Sequence, residues 1–264
     1  MASIPGGLSA GHRRALFWAC FSGIAATAAV FAVRGQVIGD WAREFGLTET
    51  QKGEILGVGL WPFAAAIVAV SMIADRVGYG RCMVFALVCH VSSTIVLLLA
   101  RDYWWLYAGT FLVSIGNGVV QAVADPVVAS MYRHNKTTWL NILHASWPAG
   151  MVVGGAAGIA LEAGGGLDWR WRIGMLLVPM LLYGILMIGH RFPVHERIAA
   201  GVSDREMFRE TGAIGLFLVL VFLFGEFARL LGQPWYAGVV GAVICSGLFG
   251  WVTRSPGRPV FLVL

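Results

Sequence analysis

Charge is scarce in this chain. Only 12% of its 264 residues are Asp, Glu, Lys or Arg, about half of the roughly 25% usual in soluble domains. That shortage excludes an ordinary soluble fold. Cysteine is scarce too. Cys20, Cys82, Cys89 and Cys245 lie in or beside apolar runs without metal-ligand spacing, and read as small buried hydrophobes rather than a disulfide framework. No Gly-x-Ser-x-Gly, His-Glu-x-x-His or Gly-x-Gly-Asp occurs, so a membrane enzyme has no visible nucleophile or metal set. Neither a metal nor a cofactor is expected. The first apolar span is too long for a signal-peptide core and lacks a cleavage site, so it is expected to stay as an anchor.

Long apolar runs are abundant. Hydrophobic residues make up 58% of the chain and the mean hydropathy is +0.75. A hydrocarbon core of about 30 Å needs roughly 20 apolar residues in a helix. Runs near 15–38, 53–74, 82–100, 104–131, 139–161, 173–190, 212–232 and 235–252 meet that requirement. The expectation is an all-α polytopic membrane protein with about eight membrane helices. A net charge of +5 and a pI near 9.3 would suit nucleic acid, but the placement of the charge argues for topology. With the N-terminus inside, the inner side holds Arg13, Arg14, Arg76, Arg81, Arg133, Lys136, Arg191, Arg197, Arg205, Arg209, Arg254 and Arg258. The outer side holds Arg43, Lys52, Arg101, Arg170 and Arg172, with Arg229 near that end. This positive-inside bias predicts a cytoplasmic N-terminus; the expected location is a bacterial inner (plasma) membrane, with the bilayer and not nucleic acid as the partner.

An internal repeat organises the first six spans. Trp61-Pro62 recurs as Trp147-Pro148, an offset of 86 residues that also carries Phe17-Trp18 onto Tyr103-Trp104 and Gly78 onto Gly164. Three helices per repeat is an odd number, so the copies must be inverted, as in many secondary transporters. The competing reading is chance, since tryptophan is common here. Each proline frees the carbonyl four residues earlier, those of Val58 and His144. In lipid such a group needs a partner or a watery cavity, so spans two and five are candidate cavity walls or merely kinked helices. The expected division is a six-helix bundle over 1–190, a cytoplasmic linker over 191–211, and two further helices with the start of another over 212–264.

The turn Ala74-Asp75-Arg76-Val77-Gly78-Tyr79-Gly80-Arg81 follows the second span. Its Asp-Arg-x-Gly pattern resembles the signature loop of the major facilitator superfamily, with Ser71 at the usual Gly and Tyr79 at a basic position. Gly116-x-Gly118 followed by Gln121-x-x-Ala124-Asp125-Pro126, and Leu140-Asn141 with Gly150, resemble the fourth and fifth helices of the fucose–proton symporter group. There the group's Asn becomes Asp125, its fifth-helix Gln and Asn become His144 and Trp147, and its helix-one acid falls near Arg34 and Gly35. The resemblance covers about residues 15–190. It implies a major-facilitator-type bundle of inverted three-helix repeats, alternating access, and gating by Asp75, Arg76, Gly78 and Arg81. The superfamily has two six-helix halves, so the chain is expected to be a first half plus two helices, with 260–264 opening another.

Within that frame Arg34 comes first. A charge deep in a membrane helix costs roughly 2.5–3.5 kcal/mol on insertion scales. Arg34 therefore either snorkels to the interface, the helix leaving near Gly39-Asp40, or meets an anionic substrate or an acid. Gln121 can donate and accept, suiting a hydroxylated ligand or interhelical glue. Asp125, on the same face, either carries a proton or pairs with a cytoplasmic Arg. His144 is the best titratable candidate, imidazole ordinarily changing charge near physiological pH, although an intramembrane His can also be a hydrogen-bonding core residue. Trp61 and Trp147 either stack on a sugar ring or fill the bundle. Trp41, Trp104, Trp105, Trp169, Trp171 and Trp235 fit an interfacial belt. The expected function is secondary transport of a small polar solute, possibly a sugar, with Arg34, Gln121, His144, Trp147 and Trp61 binding it and His144 or Asp125 coupling protons. Thr110 and Ser114 stand where antiporters of the superfamily carry Arg and Gly, which disfavours a drug–proton antiporter. The alternatives are a non-transporting receptor or scaffold of the same fold, or an antiporter of a small organic molecule.

Overall fold

A computed structural model describes residues 8–164, 167–193 and 204–255, with the side chains of 204–208, 210 and 211 left aside. Among the described residues all regular structure is helical. The helices are α1 (Ala10–Phe45), α2 (Glu49–Val58), α3 (Trp61–Val77), α4 (Tyr79–Leu98), α5 (Tyr103–Met131), α6 (Lys136–His144), α7 (Ser146–Ala163), α8 (Trp169–Gly174), α9 (Leu177–Met187), α10 (Asp204–Leu230) and α11 (Trp235–Thr253). They make eight spans long and apolar enough to cross a bilayer; α2–α3, α6–α7 and α8–α9 each make one.

Helix ends follow local chemistry. The Ser9 side chain accepts from the His12 N–H to open α1, and Gly46 closes it at φ 63°. A capping box between Thr48 and Gln51 opens α2, and Asp102 accepts from the Trp104 and Trp105 N–H groups at 2.8 and 3.2 Å to open α5. The first span overruns the expected exit at Gly39-Asp40 because its terminal charges are satisfied by protein. Asp40 pairs with Arg43 and with the buried Arg172, and Glu44 pairs with Arg170 at 2.6 Å. Trp41 and Trp169 are likewise corrected: both are buried and meet edge to face at 5.8 Å. Trp104, Trp105, Trp171 and Trp235 are exposed, as an interfacial belt requires.

The chain forms two compact units, Met1–His195 and Glu196–Leu264. In the first, span one packs on span five and span four on span two, while span three packs on four and span six on one. Exchanging spans one, two and three with four, five and six maps these pairings onto each other, which is the symmetry an inverted repeat requires. Small residues set the close approaches. A Cβ on Gly150 would lie 2.3 Å from the Ala25 carbonyl, one on Gly154 2.5 Å from Ala29 Cβ, and one on Gly118 2.4 Å from the Phe63 carbonyl. The interior is polar in places, with Thr27, Arg34, His90, Asn117 and Ser114 buried, while Val84, Phe85, Val88 and Val178 are exposed. That polarity suits a lipid surround.

In the second unit α10 and α11 form a close pair, Gly238 lying against Phe224 and Gly225. The helical path of α10 breaks at Gly212, φ 54° and ψ −169°. Residues 194–203 of the expected linker and the expected span start at 260–264 lie outside the described residues. Cys245 is exposed, contrary to expectation, whereas Cys20, Cys82 and Cys89 are buried.

Candidate functional site

Spans two and five are both discontinuous, and at equivalent places. α2 stops at Val58 and α3 restarts at Trp61-Pro62. α6 stops at His144, Ala145 is a turn, and α7 restarts at Ser146 just before Trp147-Pro148. Proline is tolerated in a first helical turn because the amide it lacks has no helical partner there. The two Trp-Pro pairs therefore punctuate helices rather than bend them. Gly164 ends α7 as Gly78 ends α3, but only Gly78 has positive φ, at 90°.

Three candidate residues come together. His144 Nε2 lies 3.6 Å from Asp125 Oδ2, with side chains 53% and 38% exposed. Gln121 is one turn before Asp125 on α5. The two share a cavity of about 250 Å³ with Ile67, Ser71 and Pro126. Asp125 Oδ1 is buried without a hydrogen bond, so the pair is incompletely satisfied. Trp147, just past the break from His144, packs with Phe31 and Phe63 at 5.7 and 6.2 Å, tying span five to spans one and two. Trp61 turns to Phe111 of α5 at 5.7 Å, its indole N–H buried and unbonded.

Arg34 is placed differently. It is 5% exposed, with its guanidinium 4.8 Å from the Phe31 ring centroid. It fills the notch at the span-two break, where a Cβ on Gly59 would fall 1.7 Å from Nη1. A second buried polar cluster centres on His90, a weaker titratable candidate than His144 in the sequence, whose partners no local signal marks. His90 Nε2 meets Asn117 Oδ1 at 3.0 Å and Nδ1 meets the Tyr183 hydroxyl at 2.9 Å. With Asn117 presenting its carbonyl oxygen, Nε2 donates and Nδ1 accepts, which fits a neutral ring. His90 is thus a satisfied core residue joining spans three, four and six. Phe31 and Phe63 were missed as well, since an apolar residue in an apolar helix carries no signal.

At the charged turn Asp75 is buried and its Oδ1 accepts from the Arg76 N–H at 2.8 Å. Arg76 and Arg81 are exposed. The segment after span six lies against this turn, and a Cβ on Gly80 would sit 3.1 Å from the Phe192 ring. Between them is a cavity of about 530 Å³.

Residues 15–253 match the family model described as Major Facilitator Superfamily. The chain belongs to this superfamily. Its architecture is therefore that of a secondary transporter, and the family is not one of enzymes. Two solved structures share the fold: the peptide transporter POT in complex with alafosfalin, at TM-score 0.59 and 16% identity over 82% of this chain and 49% of that one, and a D-xylose–proton symporter, at TM-score 0.56 and 13% identity over 88% and 65%. Among curated relatives, the TsgA protein homologues of Buchnera aphidicola strains are 20% identical over 232 residues. That alignment covers 86% of this chain and 58% of theirs, so the superfamily member described here spans a little over half the length of those relatives.

Proposed function

We propose that this superfamily member takes part in proton-coupled transport of a small polar solute, a sugar being the leading class, by alternating access. The observation that carries the reading is the Asp125–His144 pair at 3.6 Å beside the Gln121 amide, at the break of span five. A carboxylate and an imidazole that near each other can exchange one proton, and a proton gained or lost changes the charge that a neighbouring solute meets. Gln121 offers both hydrogen-bonding senses to a hydroxyl. Trp147 and Trp61, each at the restart of a broken span, supply flat apolar surface of the kind that covers a sugar ring. In this reading Asp75, Arg76, Gly78 and Arg81 form the gate on the cytoplasmic side of a bacterial inner membrane, an orientation that the positive-inside bias supports.

The test is uptake of radiolabelled monosaccharides, D-xylose first, into proteoliposomes with and without an inward proton gradient. Wild type is expected to accumulate sugar with the gradient. Gln121→Ala should weaken uptake at low sugar concentration, and His144→Ala should abolish the gradient's effect while leaving exchange. Uncoupled or absent uptake in wild type, or both variants matching it, would refute the reading. Saturable binding without uptake would favour a receptor of the same fold.

A further inference from the structure

We infer that Arg34 is a positioning residue: its guanidinium locks the break of span two, so that the equivalent break of span five, which carries His144, is the one left to move. The inference concerns the backbone of the first unit and holds whatever solute is carried. The two breaks have nearly the same backbone. Gly59, after α2, has φ −75° and ψ −14°, and Ala145, after α6, has φ −63° and ψ −17°. The 86-residue offset of the repeat relates them, as it relates Val58 and His144, whose carbonyls the prolines cannot bond.

What fills the two breaks differs. Any residue can adopt the backbone angles at Gly59, so the absence of a side chain there serves the group packed against it. A Cβ on Gly59 would lie 1.7 Å from Arg34 Nη1, 2.1 Å from Cζ and 2.5 Å from Nη2. The guanidinium therefore occupies the space that a methyl would take. Ala145 carries that methyl, and the repeat equivalent of Arg34 is Val120, an apolar side chain. Gly59 is buried, whereas His144 and Ala145 are exposed.

Two interactions hold the guanidinium in the notch. It lies 4.8 Å from the Phe31 ring centroid, and Phe31 is itself packed by Phe63 of α3 at 5.8 Å and Trp147 of α7 at 5.7 Å. The cation also sits at the C-terminal end of α2, where carbonyls without helical partners carry partial negative charge that favours it. Arg34 Nε and Nη1 are buried without a hydrogen-bond partner, so packing and the helix dipole hold the charge. Moving it away would break the contact with Phe31 and leave a hole against Gly59. The span-five break has no such filler, and its His144 side chain, 53% exposed, lies 3.6 Å from Asp125. In the transport cycle proposed above, span five is then the moving wall, and its movement changes the distance between His144 and Asp125.

Amide hydrogen exchange reads the difference. The purified chain in detergent is followed by mass spectrometry over residues 57–64, residues 143–150 and, as an internal reference, the segment 88–95 around the buried His90. In wild type the span-five break is expected to exchange faster than the span-two break. Arg34→Ala should speed exchange over 57–64 by about tenfold or more, the scale of a partly buried charge at a helix end. It should change 88–95 by less than about twofold. Gly59→Ala, which the backbone accepts, should expel the guanidinium and give the same local acceleration. The double variant should add nothing further, because both changes remove one contact. Arg34→Lys keeps the charge but has no flat face for Phe31, and should fall between. Equal or lower protection of the span-two break in wild type, no acceleration in Arg34→Ala, additive effects in the double variant, or an equal acceleration of 88–95 would each overturn the inference. Should Arg34→Ala fail to fold, Gly59→Ala and Arg34→Lys decide alone.

Discussion

Replacing Gly154 with alanine should destabilise the first unit, while the same change at Gly155 should not. The two residues are neighbours on α7, and they differ in what a methyl group would meet. At Gly154 it would lie 2.5 Å from Ala29 Cβ and 2.8 Å from Ala29 Cα, against an optimum of about 3.5–4.0 Å for carbon pairs. The helices must separate by about 1 Å. Gly150 and Gly158 lie on the same seam, facing Ala25 and Gln36, so the separation cannot be confined to one residue. A gap of 0.5–1 Å forfeits about a quarter to a half of each dispersion contact, and overpacking of this kind costs about 1–3 kcal/mol. At Gly155 the nearest atoms are Gln36 Nε2 at 3.7 Å and Ala32 Cβ at 3.8 Å, which is ordinary contact. Alanine exceeds glycine in helix propensity by about 0.8–1.0 kcal/mol at both positions, so this gain cancels in the comparison. The variants should therefore differ by about 1–3 kcal/mol. At about 2–4 °C per kcal/mol for a domain of this size, that is about 2–12 °C in unfolding midpoint, Gly154→Ala being the lower. Thermal unfolding in detergent, followed by tryptophan fluorescence, measures it. Equal midpoints would refute the reasoning, because only packing distinguishes the two sites.

Arg172→Gln should cost about 3 kcal/mol, the low end for breaking a buried ion pair, because Arg172 is buried and bridges Asp40 and Glu162 while Arg43 remains to Asp40. Arg170→Gln, at a site about a third exposed, should cost about 1 kcal/mol or less; denaturant titration of the two variants checks the order. Gly78→Ala should lose about 1–3 kcal/mol through backbone strain alone, since φ is 90° and no atom lies within 4 Å of the added methyl. Gly39→Ala, equally uncrowded but inside α1, should lose nothing, and a matching loss there would contradict a strain origin.

The spans were legible because hydropathy adds along the chain. All eight runs have helices over them, and the Trp-Pro repeat marks the two breaks because proline acts on its own backbone. The ends were less legible. Gly39-Asp40 read as a boundary, but the ion partners Arg170 and Arg172 that let α1 continue lie more than 120 residues from Glu44 and Asp40. Trp41 and Trp169 share a composition signal with the exposed belt tryptophans and differ only in facing each other.

The same limit governs the candidate sites. A polar residue in an apolar helix announces a cost, and its sequence does not say whether the cost has been met. His90 and Arg34 carry that one signal and end in opposite conditions. His90 has a partner on each ring nitrogen, drawn from α5 and α9, so its polarity is consumed in holding three spans together. Arg34 keeps two buried nitrogens unbonded, its guanidinium packed on the Phe31 ring and against Gly59. The difference between them is decided by Asn117 and Tyr183 in one case and by the break at Gly59 in the other, none of them near enough in sequence to mark the outcome. In a bilayer, where water cannot complete an unfinished hydrogen-bond set, only the packing of distant segments shows which polar residue has had its cost met.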